Sequence, residues 1–293
     1  MPSLIELVGN TPLVEIKRLF NKPGVKIFGK LEGTNPGGSV KDRAALSMIK
    51  GAMDRGELKK GMKLVEATSG NTGIALAMIA AKYGIEITLI MPENATVERV
   101  HTMKSYGADV ILTPAEKTIE YSREYATYLV EQGGYINLNQ FANDDNWKAH
   151  YRTTGPEIWK GTNQTITHFV SSMGTTGTIM GTSRFLKEKK EGIQIVGVQP
   201  TDGSRVPGIR RWSPEFLPKI YDPKRVDKII DVSRDQSIDM MKRLAKEEGI
   251  FAGMSSGGAM TAAIQLAETL EEGIIVSIVC DRGDRYLSSG IFG

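Results

Sequence analysis

Short apolar runs of strand length alternate with helical patterns along most of the chain, and several of the joints between them are glycine-rich turns. Residues 25–32, 63–67, 86–91, 109–112, 168–172, 194–199 and 274–280 read as strands. Residues 42–53, 74–83, 98–106, 118–132, 179–190, 237–248 and 259–269 read as helices. Strands that are apolar along their length need cover on both faces, and a helix between strands is the usual parallel crossover. The expected fold class is therefore α/β, with open, mostly parallel sheets covered by helices. Residues 3–20 depart from the pattern and read as two short strands, 4–8 and 13–16, about a Gly9-Asn10-Thr11-Pro12 turn. The polar run Asn143-Asp144-Asp145-Asn146 reads as a loop and is the best candidate for a boundary. Residues 200–223 form an irregular stretch too long for a passive connection.

Four turns carry the chemistry: GTNPGGSVKDR (33–43), TSGNTG (68–73), MGTTGT (173–178) and GMSSGG (253–258). In open parallel sheets ligands bind beyond the carboxyl ends of the strands, so the four turns are expected to converge on one pocket. The first turn carries Lys41, which is not a Walker lysine, because Ser39 and Val40 separate it from Gly38. The helix after the second turn is apolar nearly all round and must be buried, which aims its N-terminal N–H groups inward as an anion site. Thr68, Ser69 and Thr72 would add hydroxyl donors there. In the third turn Gly174, Thr175, Thr176, Gly177 and Thr178 offer backbone and hydroxyl donors together, as a phosphate cradle requires. The fourth places Ser255 at a helix start.

Composition narrows the ligand class. Thirty-seven basic against 34 acidic residues give a net charge of +3 without a block of one sign, which indicates neither nucleic acid nor a membrane surface. No apolar run approaches the ~18 residues of a membrane span. A single cysteine, Cys280, excludes an intramolecular disulfide, and the N-terminal residues show no leader pattern, so a cytoplasmic location is expected. His101, His150 and His168 lie too far apart in sequence to suggest a metal site, and none is expected. Small molecules are the expected partners.

A phosphate cradle, an amine nucleophile, a buried helix end for a carboxylate and a hydroxyl at a further helix start together suit pyridoxal phosphate and an amino acid. With EATSGNTGIAL (66–76) and CDRGDRYLS (280–288) added, the motifs resemble those of the cysteine synthases (O-acetylserine sulfhydrylases), and most nearly their B group. These are fold-type II pyridoxal-phosphate enzymes, and the resemblance runs in order through essentially the whole chain. It implies a tryptophan synthase β-like pair of domains. Residues 1–36 and 147–293 would form the large cofactor-binding domain, and 37–146 a smaller mobile one carrying the lysine and the substrate loop.

The resemblance further implies that Lys41 holds the cofactor as a Schiff base and that Asn71 meets its ring hydroxyl. Residues 174–178 would hold its phosphate and Ser255 its pyridine nitrogen. Thr68, Ser69, Thr72 and Gln140 would take the substrate carboxylate. The reaction implied is β-replacement on O-acetylserine by sulfide to give L-cysteine, in a homodimer. Arg210, Arg211 and Trp212 match the B-group pattern, in which a basic site admits thiosulfate, giving S-sulfocysteine. Two departures stand out: Ala252 occupies a place where the family often has a cysteine, and the sequence stops at Gly293.

Cys280 is expected to pack, with a place near the cofactor ring as the alternative. Phosphoserine-using cysteine synthases, cystathionine β-synthases and threonine dehydratases are alternatives on the same fold. A regulatory ligand-binding module is the non-enzyme alternative. Gly253-Met254-Ser255-Ser256-Gly257 also fits the G-x-S-x-G nucleophile elbow, but every histidine precedes the serine, which excludes that reading.

Overall fold

The computed structural model describes residues 1–59, 61–68 and 70–292, and places ten strands in two sheets. The larger sheet has the order β1-β2-β10-β7-β8-β9, with β1 Leu13–Ile16, β2 Val25–Leu31, β7 His168–Ser172, β8 Gln194–Pro200, β9 Lys228–Val232 and β10 Gly273–Val279. Only β1 runs antiparallel to its neighbour. The smaller sheet is wholly parallel, in the order β5-β4-β3-β6, with β3 Lys63–Ala67, β4 Ile87–Pro92, β5 Asp109–Thr113 and β6 Tyr135–Ile136.

The smaller sheet is covered by α1 (Lys41–Asp54) and α2 (Asn71–Tyr83) on one face and by α4 (Thr118–Glu131) on the other. α1 buries the stripe Ala44, Ala45, Met48, Ile49 and Ala52 against α2. α2 is buried from Thr72 to Ala80, so it has no solvent face to make amphipathic. Ile74, Leu76, Met78 and Ile79 are at most 2% exposed, and each such side chain stabilises the fold by roughly 1.5–3 kcal/mol. The helix stops at Gly84, whose φ of 65° is cheap only without a Cβ.

The remaining helices are α3 (Val97–Ser105), α5 (Asp144–Arg152), α6 (Thr154–Gly161), α7 (Gly177–Lys189), α8 (Arg234–Glu248) and α9 (Met254–Glu268). Two helix pairs pack backbone to backbone: a Cβ at Gly257 of α9 would lie 2.0 Å from the Ser237 carbonyl oxygen of α8, and one at Gly181 of α7 2.0 Å from the Trp147 carbonyl oxygen of α5.

Four expectations need correction. Residues 4–7 form a 3-10 turn rather than a strand, because no strand lies alongside. Ile5 and Val8 instead lean together on the α1–α2 core, at helical spacing. Residues 143–146 are not a free loop: Asn143 caps α5, its side chain accepting from the Asp145 N–H at 2.9 Å, and Asn146 is 1% exposed. Residues 228–232 are a strand that the apolar runs did not reveal, because it lies at the sheet edge and buries only Val232. Finally, only three of the glycine-rich turns follow strands (β2, β3 and β7). The turn at 253–258 follows α8, and an isolated bridge from Ala252 to Arg282 brings it to the end of β10.

Candidate active site

A cavity of about 240 Å3 opens where the carboxyl ends of the two sheets face each other. It is lined by residues from all four turns: Lys41; Thr68, Asn71 and Thr72; Gly174, Thr175, Thr176 and Thr178; and Ser255. Gln140 and Arg210 also line it, while Gly177 is the first residue of α7 in the same turn as its neighbours. Ser69 lies outside the described residues.

Lys41 is the first residue of α1, and the chain just ahead of it is pinned to the end of β10: the Val40 N–H donates to the Cys280 carbonyl at 2.8 Å, and Ser39 bridges Asp281. Burial lowers the lysine pKa, opposed in part by Cys280 and Asp281. The cause is desolvation, which disfavours the ammonium and so makes a neutral amine accessible at lower pH.

The turn after β7 bends through Thr176, whose φ of 68° is left-handed, and α7 then begins at Gly177. Side chains are excluded at both glycines of the turn. A Cβ at Gly174 would sit 2.7 Å from the Gly208 carbonyl oxygen, and one at Gly177 2.0 Å from Asn146 Oδ1. Two residues not anticipated from sequence brace the turn from behind. Asn146 donates to Thr175 Oγ1 at 3.1 Å and to the Gln140 carbonyl at 2.7 Å, and His150 Nε2 lies 3.3 Å from Thr178 Oγ1. Burial, with Arg43 and Lys41 nearby, holds His150 well below the usual histidine range, so it braces as a neutral imidazole.

At the start of α2 the cap residue Gly70 offers no side chain, which leaves the N–H groups of Asn71 and Thr72 for a ligand, while that of Gly73 bonds the Gly70 carbonyl at 3.1 Å. Thr72 Oγ1 donates to Gln140 Oε1 at 2.7 Å, so the two side chains are already aligned with each other. Asn71 donates from Nδ2 to Asp281 Oδ2 at 2.7 Å and accepts at Oδ1 from Arg285. Ser255 lies in the first turn of α9 and is 4% exposed; its carbonyl accepts from Ser172 Oγ at 2.7 Å.

Cys280 both packs in a core with Ile278, Val276 and Met173 and lines the cavity. Burial and the neighbouring Asp281 push its thiol up to about 12, which leaves it protonated and unreactive near neutrality.

The two adjacent arginines part company. Arg210 stands at the cavity mouth, whereas Arg211 does not reach the cavity. Arg211 turns back to the Pro200 carbonyl at 2.9 Å and pairs with Asp202 at 3.1 Å and with Asp231. The mouth's other arginines are Arg123 of α4 and Arg99 of α3, which the motifs do not include. Arg123 stacks over Phe141 at 4.9 Å and Arg99 over Tyr286 at the same distance.

A desolvated lysine at one helix start, an anion cradle at a second and a carboxylate-sized helix end at a third define a pyridoxal-phosphate enzyme. The cradle fits the phosphate on its own chemistry, because Thr176 Oγ1 is buried and has no hydrogen-bond partner among the described residues. A family model described as pyridoxal-phosphate dependent enzyme matches residues 4–281, and the chain belongs to that family, among its cysteine synthases. It is 57% identical over 291 residues to cysteine synthase B of Pseudomonas aeruginosa, covering 99% of this chain and 97% of that protein. It is 54% identical to cysteine synthase B of Salmonella typhimurium over 293 residues, covering 100% and 97%. Among solved structures, a cysteine synthase of Entamoeba histolytica superposes with a TM-score of 0.95 at 38% identity, covering 100% of this chain and 90% of that one.

Proposed function

We propose that the protein makes L-cysteine by replacing the acetate of O-acetylserine with sulfide. The observation that carries this reading is the meeting in one cavity of Lys41, the 174–178 cradle and the α2 start. Pyridoxal phosphate bound there supplies an aldehyde carbon for covalent attachment of amines and a ring that accepts electrons from the substrate's α-carbon. Backbone N–H groups and hydroxyls of Gly174, Thr175, Thr176, Gly177 and Thr178 would hold its phosphate. Asn71 would donate to its ring oxygen and Ser255 would meet its ring nitrogen. A serine hydroxyl is neutral and cannot hold that nitrogen protonated as a carboxylate would, so loss of a β-substituent is favoured over extended charge delocalisation.

The substrate carboxylate sits at the α2 start, on Thr68, Thr72 and Gln140. Lys41 Nζ, whose charged form desolvation disfavours, takes the proton from the α-carbon as a neutral amine. Arg210 and Arg123 at the mouth suit an anionic sulfur donor, which supports thiosulfate as a second nucleophile. The same two cations favour phosphoserine as the alternative amino-acid substrate. We place the protein in the cytoplasm as a homodimer, and residues 37–146 as a body that closes over bound substrate.

Absorbance of the cofactor-loaded protein tests the reading. O-acetylserine is expected to shift the visible band and sulfide to restore it, with cysteine formed in proportion. Lys41→Ala is expected to abolish the lysine-linked band and to slow turnover by on the order of 10²–10⁴-fold or more. A normal band in Lys41→Ala, or a band that sulfide does not restore, overturns it. Restoration after phosphoserine but not after O-acetylserine would favour the alternative substrate.

A further inference from the structure

The segment after β10, residues 281–289, touches both sheets' turns, and the second of its two arginines, Arg285, has no part in the proposed reaction. Arg285 is 9% exposed and lies within the 3-10 turn Gly283–Ser289. One guanidinium nitrogen donates to Asn71 Oδ1 and another to the Gly37 carbonyl, in the turn that carries Lys41. The fit is close: Gly38 has a φ of +80°, and a Cβ there would lie 2.6 Å from the guanidinium. The segment is anchored on its far side by Glu98 of α3, which accepts from the Ser288 N–H at 2.7 Å and from its hydroxyl at 2.6 Å.

An arginine can only donate, so it determines which end of the Asn71 amide faces it. Oδ1 is turned to the guanidinium, and Nδ2 gives one hydrogen to Asp281, which in turn accepts from the Tyr286 hydroxyl at 2.8 Å. The amide donor left for the cavity is the second hydrogen of Nδ2. Asp281 holds the amide the same way round from its other end, so a side chain at 285 without a donor removes one of the two holds on that orientation and leaves Oδ1 unpaired. The same cation holds the Lys41 turn against the α2 start, because its two acceptors belong to those two turns.

We propose that Arg285 is a positioning residue for the cofactor, which fixes the Asn71 amide donor-inward and locks the Lys41 turn to the α2 turn. This rests on the placement of Asn71 against the ring oxygen. The test measures pyridoxal-phosphate affinity by fluorescence titration, and the pH dependence of the visible band, in Arg285→Met, Arg285→Lys, Asn71→Ala and the double variant Asn71→Ala/Arg285→Met.

Arg285→Met and Asn71→Ala are each expected to weaken cofactor binding on the order of tenfold and to shift the pH at which the visible band fades. The double variant is expected to lose clearly less than the product of the two single losses, since the part of the Arg285 effect that runs through Asn71 is already gone and only its hold on the Gly37 carbonyl remains to be lost. If Arg285→Met does not fold, Arg285→Lys keeps the charge but cannot span both acceptors, and is expected to show the spectral shift. Wild-type affinity and spectrum in a folded Arg285 variant, with Asn71→Ala impaired, overturn the inference. So do fully additive losses in the double variant. A wild-type Asn71→Ala overturns the placement of Asn71 itself.

Discussion

Glu66 stands one residue before the end of β3, 5% exposed, with Oε2 buried and unpartnered among the described residues. Burial raises its carboxyl to about 8, with Arg123 opposing, so at neutral pH it is mostly a neutral acid in the fold and an anion in the unfolded chain. The folded state therefore binds the extra proton between the unfolded value near 4.5 and about 8. Stability falls with rising pH across that window, with a slope of about 1.4 kcal/mol per unit from this group, and levels off above it. Glu66→Gln keeps the shape without the ionisation. Its melting temperature is expected to match wild type near pH 4 and to exceed it increasingly toward pH 8. Equal melting temperatures at both ends of that range would refute the assignment. At the mouth, Arg210→Ala and Arg123→Ala are each expected to lower kcat/KM for thiosulfate about tenfold more than for sulfide, consistent with a charge-assisted bond to an oxyanion, whereas Arg211→Ala is expected to affect both alike. Parallel kinetics with the two sulfur donors decide it, and equal losses in all three variants would remove the oxyanion site.

At the scale of elements, α1 is held in place by a buried ionic cluster two residues past Lys41. Arg43 grips Glu32 through Nε at 2.7 Å and Nη2 at 2.9 Å, and Glu157 of α6 through two bonds of 2.7 Å. Lys30 of β2 adds a 2.6 Å bond to Glu157. Burial alone would raise the Glu157 carboxyl, but Arg43 and Lys30 hold it at about 2. Removing one member of such a cluster leaves buried charge unpaired, so Arg43→Met is expected to cost about 3–5 kcal/mol in urea unfolding and to loosen the helix start bearing Lys41. A loss below about 1 kcal/mol would show that the cluster does not anchor α1.

The alternation that predicts the sheets survives in β2, β3, β4, β7, β8 and β10 because each of those strands buries apolar residues along most of its length. It fails for β9, where an edge strand needs only one apolar residue. The cofactor turns are legible because their glycines and threonines serve local geometry. Asn146, His150 and Arg285 are not, because each works through a partner distant in sequence. The run at 143–146 misleads for a related reason, since Asn and Asp serve both solvated loops and helix caps. Arg210 and Arg211 are equivalent as letters, but their side chains diverge, one to the cavity and the other to Asp231.

In the whole molecule, the cavity is shared between the two sheets: Lys41, Asn71 and the substrate residues stand with the smaller one, and the 174–178 turn and Ser255 with the larger. β3 delivers Thr68 and the α2 start, β7 delivers the 174–178 turn, and the chain between α4 and α5 delivers Gln140 and Phe141. One aromatic contact spans the cleft. Trp212, whose Nε1 donates to the Gly174 carbonyl at 2.8 Å, meets Phe141 edge-on at 5.5 Å between ring centroids. Phe141 follows Gln140, which is hydrogen-bonded to Thr72, so any closure of the α2 turn over a substrate carboxylate pulls on that contact. Trp212 is therefore a built-in reporter, and the chain's other two tryptophans, Trp147 and Trp159, lie on α5 and α6, packed with the larger sheet. Titration with O-acetylserine is expected to change tryptophan fluorescence saturably in wild type and in Trp147→Phe, and to lose most of that change in Trp212→Phe. In Thr72→Ala the same change should need at least about tenfold more substrate, because the helix end loses a donor to a charged carboxylate. A full change in Trp212→Phe would mean that the bodies do not move at this contact. An unaltered titration in Thr72→Ala would place the carboxylate elsewhere in the cavity.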